Sequence, residues 1–172
     1  MIAQGIHGEA DALTAFEQAL AQQDSATAAL TQWCADHKIA DPAAIHAAQV
    51  TGDDALPPPD LADTLALPDG AEPGYRHVRL SCGGKVLSQA HNWYVPQRLT
   101  PEMNHLLATT DTPFGKVVAP LAYRRERLGA IRGRAPGCPP GTVLSHRALL
   151  RLPTGEPLAL VVECYTGAIL GR

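Results

Sequence analysis

The stretch YRHVRLSCGGKVLSQAHNWYVP, residues 75–96, decides the fold class of this 172-residue chain. Its first six residues alternate between two sets: Tyr75, His77 and Arg79 against Arg76, Val78 and Leu80. A period of two is typical of a β-strand, and the Gly83-Gly84 pair is a hairpin-turn signal. The residues after the glycines then predict a second, antiparallel strand that ends at Pro96.

The chain that follows predicts more sheet with short helices between the strands. Residues 100–110 predict a short helix, because Thr100 can cap it and Pro101 suits its first position. Residues 111–115, DTPFG, predict a tight turn, and 116–131 fit strand or helix; we favour strand. A second hairpin is predicted from TVLSHRALLRL and PLALVVECY, residues 142–152 and 157–165. This order of elements indicates an α+β fold with four or more antiparallel strands.

The N-terminal part has a helical rather than a strand pattern. Three short helices are predicted, over residues 11–23, 25–37 and 41–49. Residues 52–74 contain three consecutive prolines and few large apolar residues, with one helical turn at 61–65. We therefore expect three parts: an acidic helical segment packed on the main domain, a Pro-rich connector and an antiparallel sheet domain, at residues 1–57, 58–74 and 75–172.

Charge is distributed unevenly along the chain. Residues 1–57 contain eight Asp or Glu and one Lys, a net charge of −7, which leaves +4 for the rest of a chain whose total is −3. Binding to nucleic acid requires Lys and Arg clusters that neutralise phosphates. We therefore expect no nucleic-acid partner; the acidic helices suit a protein partner, and the positive remainder suits a small anion.

The cysteines and the apolar runs carry no targeting or metal signal. Four scattered cysteines, Cys34, Cys82, Cys138 and Cys164, show neither a CxxC pair nor zinc-ligand spacing, so we expect free thiols and no metal. The first residues lack a signal-peptide pattern, and no apolar run reaches about 18 residues. We expect a cytoplasmic protein without a membrane partner.

Residues 73–170 resemble the chorismate pyruvate-lyase family and its relatives, which include small-molecule-sensing domains of transcription regulators. Four fragments carry the resemblance in order: YRHVRLSCGGK, SQAHNWYVP, TPFGKVV and GEPLALVVECY. The resemblance implies a chorismate lyase-like fold, in which helical flaps close over the inner face of an antiparallel sheet. Residues 100–108 would form one flap, and the N-terminal helical segment would precede this domain.

The resemblance also implies a reaction and its residues. The family eliminates pyruvate from chorismate to leave 4-hydroxybenzoate, without metal or cofactor. Arg76 matches the carboxylate-binding arginine and Glu163 the catalytic glutamate that transfers the proton. The turn 112–115, with Thr112, Phe114 and Gly115, would direct amides inward. Asn92 stands where the lyases usually carry an arginine, which affects how the far end of a substrate is held.

The residue pattern supports these assignments with alternatives. Arg76 shares strand parity with two apolar residues, and Glu163 follows the apolar run PLALVV. A charged group on an apolar face is paired or functional, so Arg76 and Glu163 either serve a ligand or neutralise each other. Within YRRER, residues 123–127, Arg125 is the candidate for a substrate contact; the alternative is a solvated face with an Arg–Glu pair.

Two functions are consistent with this sequence. The first is a cofactor-independent carbon–oxygen lyase that acts on chorismate or a related cyclic carboxylate. The second is a non-catalytic module on the same fold that binds or senses an aromatic acid. Arg76, Glu163, Arg125, Asn92 and the 112–115 turn form the predicted site in either case.

Overall fold

A computed structural model describes residues 2–172 as an antiparallel six-stranded sheet with helices on both faces. The strands are β1 Ile45–Gln49, β2 Gly74–Cys82, β3 Lys85–Tyr94, β4 Arg124–Arg132, β5 Thr142–Arg151 and β6 Pro157–Thr166. The helices are α1 Ile2–Ala21, α2 Ala26–Asp36, α3 Leu61–Thr64, α4 Pro101–Thr109 and α5 Phe114–Val117. The strand order is β1-β2-β3-β6-β5-β4, and the predicted α+β class is confirmed.

Two hairpins form the centre of the sheet, as the sequence predicts. Strands β2 and β3 are joined through Gly83 and Gly84, whose φ angles of 56° and 80° lie in the left-handed region that glycine tolerates. Strands β5 and β6 form the second hairpin, and β3 pairs with β6 to join the two, with Ala90 opposite Glu163. Strand β4 adds one edge and β1 the other.

The pleat of the sheet gives it two distinct faces. The register aligns Arg76, Asn92, Val161, Ala148 and Arg127 across neighbouring strands on the side that we call the inner face. The residues that alternate with them, such as His77, His91, Val162 and Arg147, lie on the outer face.

Helices cover the inner face in two apolar clusters. At one end Phe16, Leu30 and Trp33 from α1 and α2 pack against strand residues such as Leu144 and Tyr165. At the other end α4 and α5 pack against the sheet through Met103, Leu107, Phe114 and Val117. The band between these clusters carries the polar side chains of the inner face.

The outer face is covered by the Pro-rich connector. Leu61 and Leu65 are buried there against Trp93, Leu149 and Leu160. Ala55 packs against the same cluster, so the connector is a packed part of the molecule over this stretch.

The structure corrects several local predictions. Residues 41–49 are not a helix: the chain bends at Asp41-Pro42 and Ile45–Gln49 pairs with β2 as an edge strand. Helix α1 begins at Ile2, well before residue 11. Residues 116–121 are helical turns, because Phe114 and Val117 are buried under α4, and strand begins only at Arg124.

The cysteines also differ from the prediction. They form two disulfides, Cys34–Cys82 between α2 and β2 and Cys138–Cys164 between the 133–141 loop and β6. Their partners are distant in sequence, which is why spacing alone pointed to free thiols. Between Ile2 and Arg172 no helix is long and apolar enough to cross a membrane.

Candidate functional site

A buried ion pair lies at the centre of the inner face. Arg125 on β4 and Glu163 on β6 face each other over the intervening β5, with Nη1 3.0 Å from Oε1 and Nη2 2.6 Å from Oε2. The Tyr165 hydroxyl donates a further hydrogen bond of 2.8 Å to Oε2. The two charged side chains are 13% and 5% exposed, so this bidentate pair is largely removed from water.

The pair maintains its charges despite burial. Burial alone opposes the charge on Arg125, but the Glu163 carboxylate outweighs it and raises the pKa of this guanidinium. Burial and the same carboxylate raise the pKa of Tyr165, which therefore stays a protonated donor. Within residues 2–172, Glu163 is the only carboxylate partner of this permanently charged arginine.

A cavity of about 60 Å³, which we call the inner cavity, adjoins this pair. Its sheet side carries Asn92, Arg125 and Glu163. It is closed by residues 24–27 at the start of α2 and by residues 113–115 at the start of α5. A pocket that admits benzene has a volume of about 150 Å³. The inner cavity as it stands therefore holds water-sized molecules and is too small for an aromatic ring.

A second cavity, of about 200 Å³, shares Asp24 and Arg125 with the inner cavity and lies beneath the end of α1. Arg127 and His146 also line it. The Nε2 of His146 is buried and has no hydrogen-bond partner within residues 2–172. Burial, partly offset by Glu163, lowers the pKa of His146. Two arginines and an unpartnered ring nitrogen are thus gathered on one side of Asp24.

Most of the predicted site residues lie together. Asn92, Phe114, Gly115, Arg125 and Glu163 all line the inner cavity, although they come from four separate stretches of the chain. Whether they contact a ligand stays a prediction. Gly115 also has a packing reason, since a Cβ there would lie 2.6 Å from the Tyr123 hydroxyl oxygen.

Arg76 and Thr112 do not line the inner cavity. Arg76 is buried on the inner face, but its guanidinium donates to the carbonyl oxygens of Thr110 and Thr112 at 3.0 Å and 2.9 Å. Burial lowers the pKa of Arg76. Arg76 therefore does not neutralise Glu163 either: its partners are main-chain carbonyls, and the partner of Glu163 is Arg125.

Sequence reasoning missed three contributors to the site. The 24–27 turn closes the inner cavity although it precedes β2, the first strand that lines this cavity, by nearly fifty residues. His146 lies opposite Glu163 on β5. Tyr165 was detectable, because it follows Glu163 by two residues and so shares its strand face. No group of three His, Cys, Asp or Glu side chains in the described chain is arranged to hold a metal ion.

The fold of this chain is shared by solved structures of PhnF. The effector domain of PhnF from Mycobacterium smegmatis matches with a TM-score of 0.57 and 16% identity, over 84% of this chain and 90% of that domain. Full-length PhnF matches with a TM-score of 0.58 and 14% identity, over 85% of this chain and 65% of PhnF. The fold is therefore the chorismate lyase-like fold of such domains.

A sequence relative then defines the family. The uncharacterized protein y4mC of Sinorhizobium fredii is 39% identical over 165 residues, which cover 85% of this chain and 70% of y4mC. The chain belongs to the same family as y4mC. No family model matches the sequence.

The prediction of a carbon–oxygen lyase is wrong. The solved structures that share this fold and match most of the chain are regulator effector domains rather than lyases. The geometry agrees, since Glu163 is engaged by Arg125 and Tyr165 rather than exposed to a substrate. The resemblance to the lyase family thus holds for the fold and not for the reaction.

Proposed function

We propose that this protein is a non-catalytic module that binds a small anionic molecule, such as an aromatic carboxylate, at Arg125. The observation that carries the proposal is the buried bidentate pair of Arg125 and Glu163 beside a cavity. A ligand carboxylate has the same geometry as Glu163 and can take its place on the guanidinium. The regulator effector domains that share the fold support a binding role over catalysis.

Ligand entry requires the 24–27 turn to move. The inner cavity of about 60 Å³ and the adjoining cavity of about 200 Å³ meet at Asp24 and Arg125. Displacement of Asp24 would merge them into a space that can admit a ring. Arg127 and His146 would then face the ligand, and removal of the Asp24 carboxylate would increase the attraction for an anion.

This movement would convert binding into a signal. The 24–27 turn runs from the α1–α2 connection into the first residues of α2, and Ser25 caps α2 by accepting a hydrogen bond from the Ala28 amide. A ligand that favours the displaced turn shifts the population of the helical hairpin. The acidic surface of α1 and α2 would carry this change to a protein partner.

The test is calorimetric titration with benzoate, 4-hydroxybenzoate and inorganic phosphate. We expect saturable binding of at least one anion to the wild type. Binding should be about tenfold weaker or worse in Arg125→Lys, which keeps the charge but loses the bidentate hydrogen-bond geometry of the guanidinium. Arg132→Lys is the matched control, because Arg132 lies on the same strand and pairs with Glu17 on α1. Equal affinity in both variants, or no binding of any anion, would refute the proposal.

A further inference from the structure

A larger cavity than either of those at Arg125 lies on the outer face of the sheet. It has a volume of about 790 Å³, and we call it the outer cavity. Its floor is formed by β3, β6, β5 and β4 through residues such as Trp93, Val162 and Ile131. One wall is formed by residues 55–60, where the Pro-rich connector begins. The other is formed by residues 135–137, in the loop that the Cys138–Cys164 disulfide attaches to β6. The sheet separates it from the inner cavity.

The lining of the outer cavity is mainly apolar and aromatic. Trp93 and His91 lie next to each other on the floor with ring centroids 6.1 Å apart. Two apolar side chains at the cavity are exposed to solvent: Leu56 at 90% and Ile131 at 50%. Pockets that bind small molecules have volumes of roughly 300–1,000 Å³ and such linings, with a few placed polar groups.

The polar groups at this cavity restrict the ligand chemistry. The Nη2 of Arg147 is held by Asp60 at 3.0 and 3.1 Å, while its Nε is buried with no partner among residues 2–172. Burial first, and then His77, lowers the pKa of His91 to about 4, so its ring is neutral at pH 7. Its Nδ1 lies 2.8 Å from the Tyr75 hydroxyl oxygen.

The surroundings disfavour an anion. An adjoining cavity of about 380 Å³ shares Ala55, His91 and Gly137 with the outer cavity, and it contains Asp53 and Asp54 against one arginine, Arg134. A further carboxylate, Asp60, lines the outer cavity itself, so negative charge predominates around it. These features together fit an uncharged ring system, in contrast to the anion proposed for the inner face.

We propose that the outer cavity binds a neutral aromatic small molecule against its apolar lining, which includes Leu56, Ile131 and Val162. The site differs from the one at Arg125 in its face, its walls and the charge of its ligand. It does not depend on the function proposed above. A second copy of the chain would be a competing occupant, and the test distinguishes it from a small molecule.

The probe is prodan, an uncharged naphthalene ketone whose emission shifts to the blue in apolar surroundings. We expect single-site saturation with the wild type, and affinity about tenfold lower or worse in Gly129→Phe. Gly129 lines the outer cavity, and a Cβ there would meet no atom within 4 Å, so the new ring has space to enter. Gly8→Phe on α1, where a Cβ likewise meets nothing within 4 Å, is the matched control.

A second variant and a second measurement complete the test. Ile131→Asp introduces a carboxylate at a half-exposed position of the lining, and it should also weaken prodan binding without unfolding the protein. Sedimentation of each variant reports self-association. The proposal is overturned if the wild type gives no blue shift, if both cavity variants bind prodan like Gly8→Phe, or if the wild type forms a dimer that Gly129→Phe dissociates.

Discussion

Arg76 fixes the main chain at Thr112: its Nη1 donates a hydrogen bond of 2.9 Å to the Thr112 carbonyl oxygen, from a position on β2 that is 3% exposed. A second bond of 3.0 Å reaches Thr110. The residue for which the sequence predicted ligand binding thus holds the segment between α4 and α5 against the sheet.

Replacement of Arg76 should destabilise the protein without changing anion affinity. Arg76→Met removes two charge-assisted donors from buried carbonyl groups, and we expect the free energy of unfolding to fall by about 2 kcal/mol. Urea denaturation measures it. Arg79→Met is the matched control, because Arg79 lies on the same strand but is exposed. An equal loss in both variants would contradict the assignment.

The Arg125–Glu163 pair should show strong energetic coupling. Glu163→Leu leaves a buried guanidinium without a counterion and should cost about 3–5 kcal/mol, whereas the double variant with Arg125→Met should recover most of that loss. A double-mutant cycle by urea denaturation tests this. The exposed Arg132–Glu17 pair provides the comparison, since Glu17→Ala should cost less than about 1 kcal/mol. Additive effects of the two buried substitutions would refute the coupling.

Burial of His91 makes stability dependent on pH. Its pKa is about 4 in the folded protein against 6.5 for a free ring, so the unfolded chain binds more protons between these values. The stability that the neutral ring supports is present above pH 6.5 and is lost as pH falls toward 4. After allowance for solvent screening, the free energy of unfolding should fall by about 2 kcal/mol over this range.

The measurement is urea denaturation from pH 7 to pH 4 for the wild type and His91→Leu. The variant should lose stability less steeply, because it lacks the His91 ring; a residual slope should remain, since the buried His146 titrates in both proteins. The carboxylates of Asp53 and Asp54 and the His77 ring act on His91 from neighbouring segments. Parallel curves for the two proteins would show that His91 does not titrate as described.

The Cys138–Cys164 disulfide should stabilise the 133–141 loop. The bridged residues are separated by 26 positions, for which loop-closure entropy predicts a loss of about 3 kcal/mol in a Cys138→Ser, Cys164→Ala double variant. Urea denaturation and a free-thiol assay test this. The wild type should show no reactive thiol after unfolding without reductant, and the Cys34–Cys82 bridge should persist in the variant. Four titratable thiols in the wild type would contradict both bridges.

The two central hairpins follow directly from local sequence. The alternation in 75–80, the Gly83-Gly84 turn and the 153–156 turn specify strand direction and register, because each acts over neighbouring residues. The same alternation put Arg76 on one face with Val78 and Leu80, and the structure identifies this face as the inner one. Strand β1 was predicted as a helix, since its five residues become a strand only by pairing with β2.

The sequence by itself thus determined the α+β class, the hairpins and the face on which the charged residues lie. Tertiary structure alone decided their partners: Glu163 meets Arg125 rather than Arg76, and the cysteines pair across 48 and 26 positions. It also decided that the 24–27 turn closes the inner cavity. The physical reason is that strand parity fixes the direction of a side chain, whereas its neighbour depends on which distant segment the hydrophobic core brings against it.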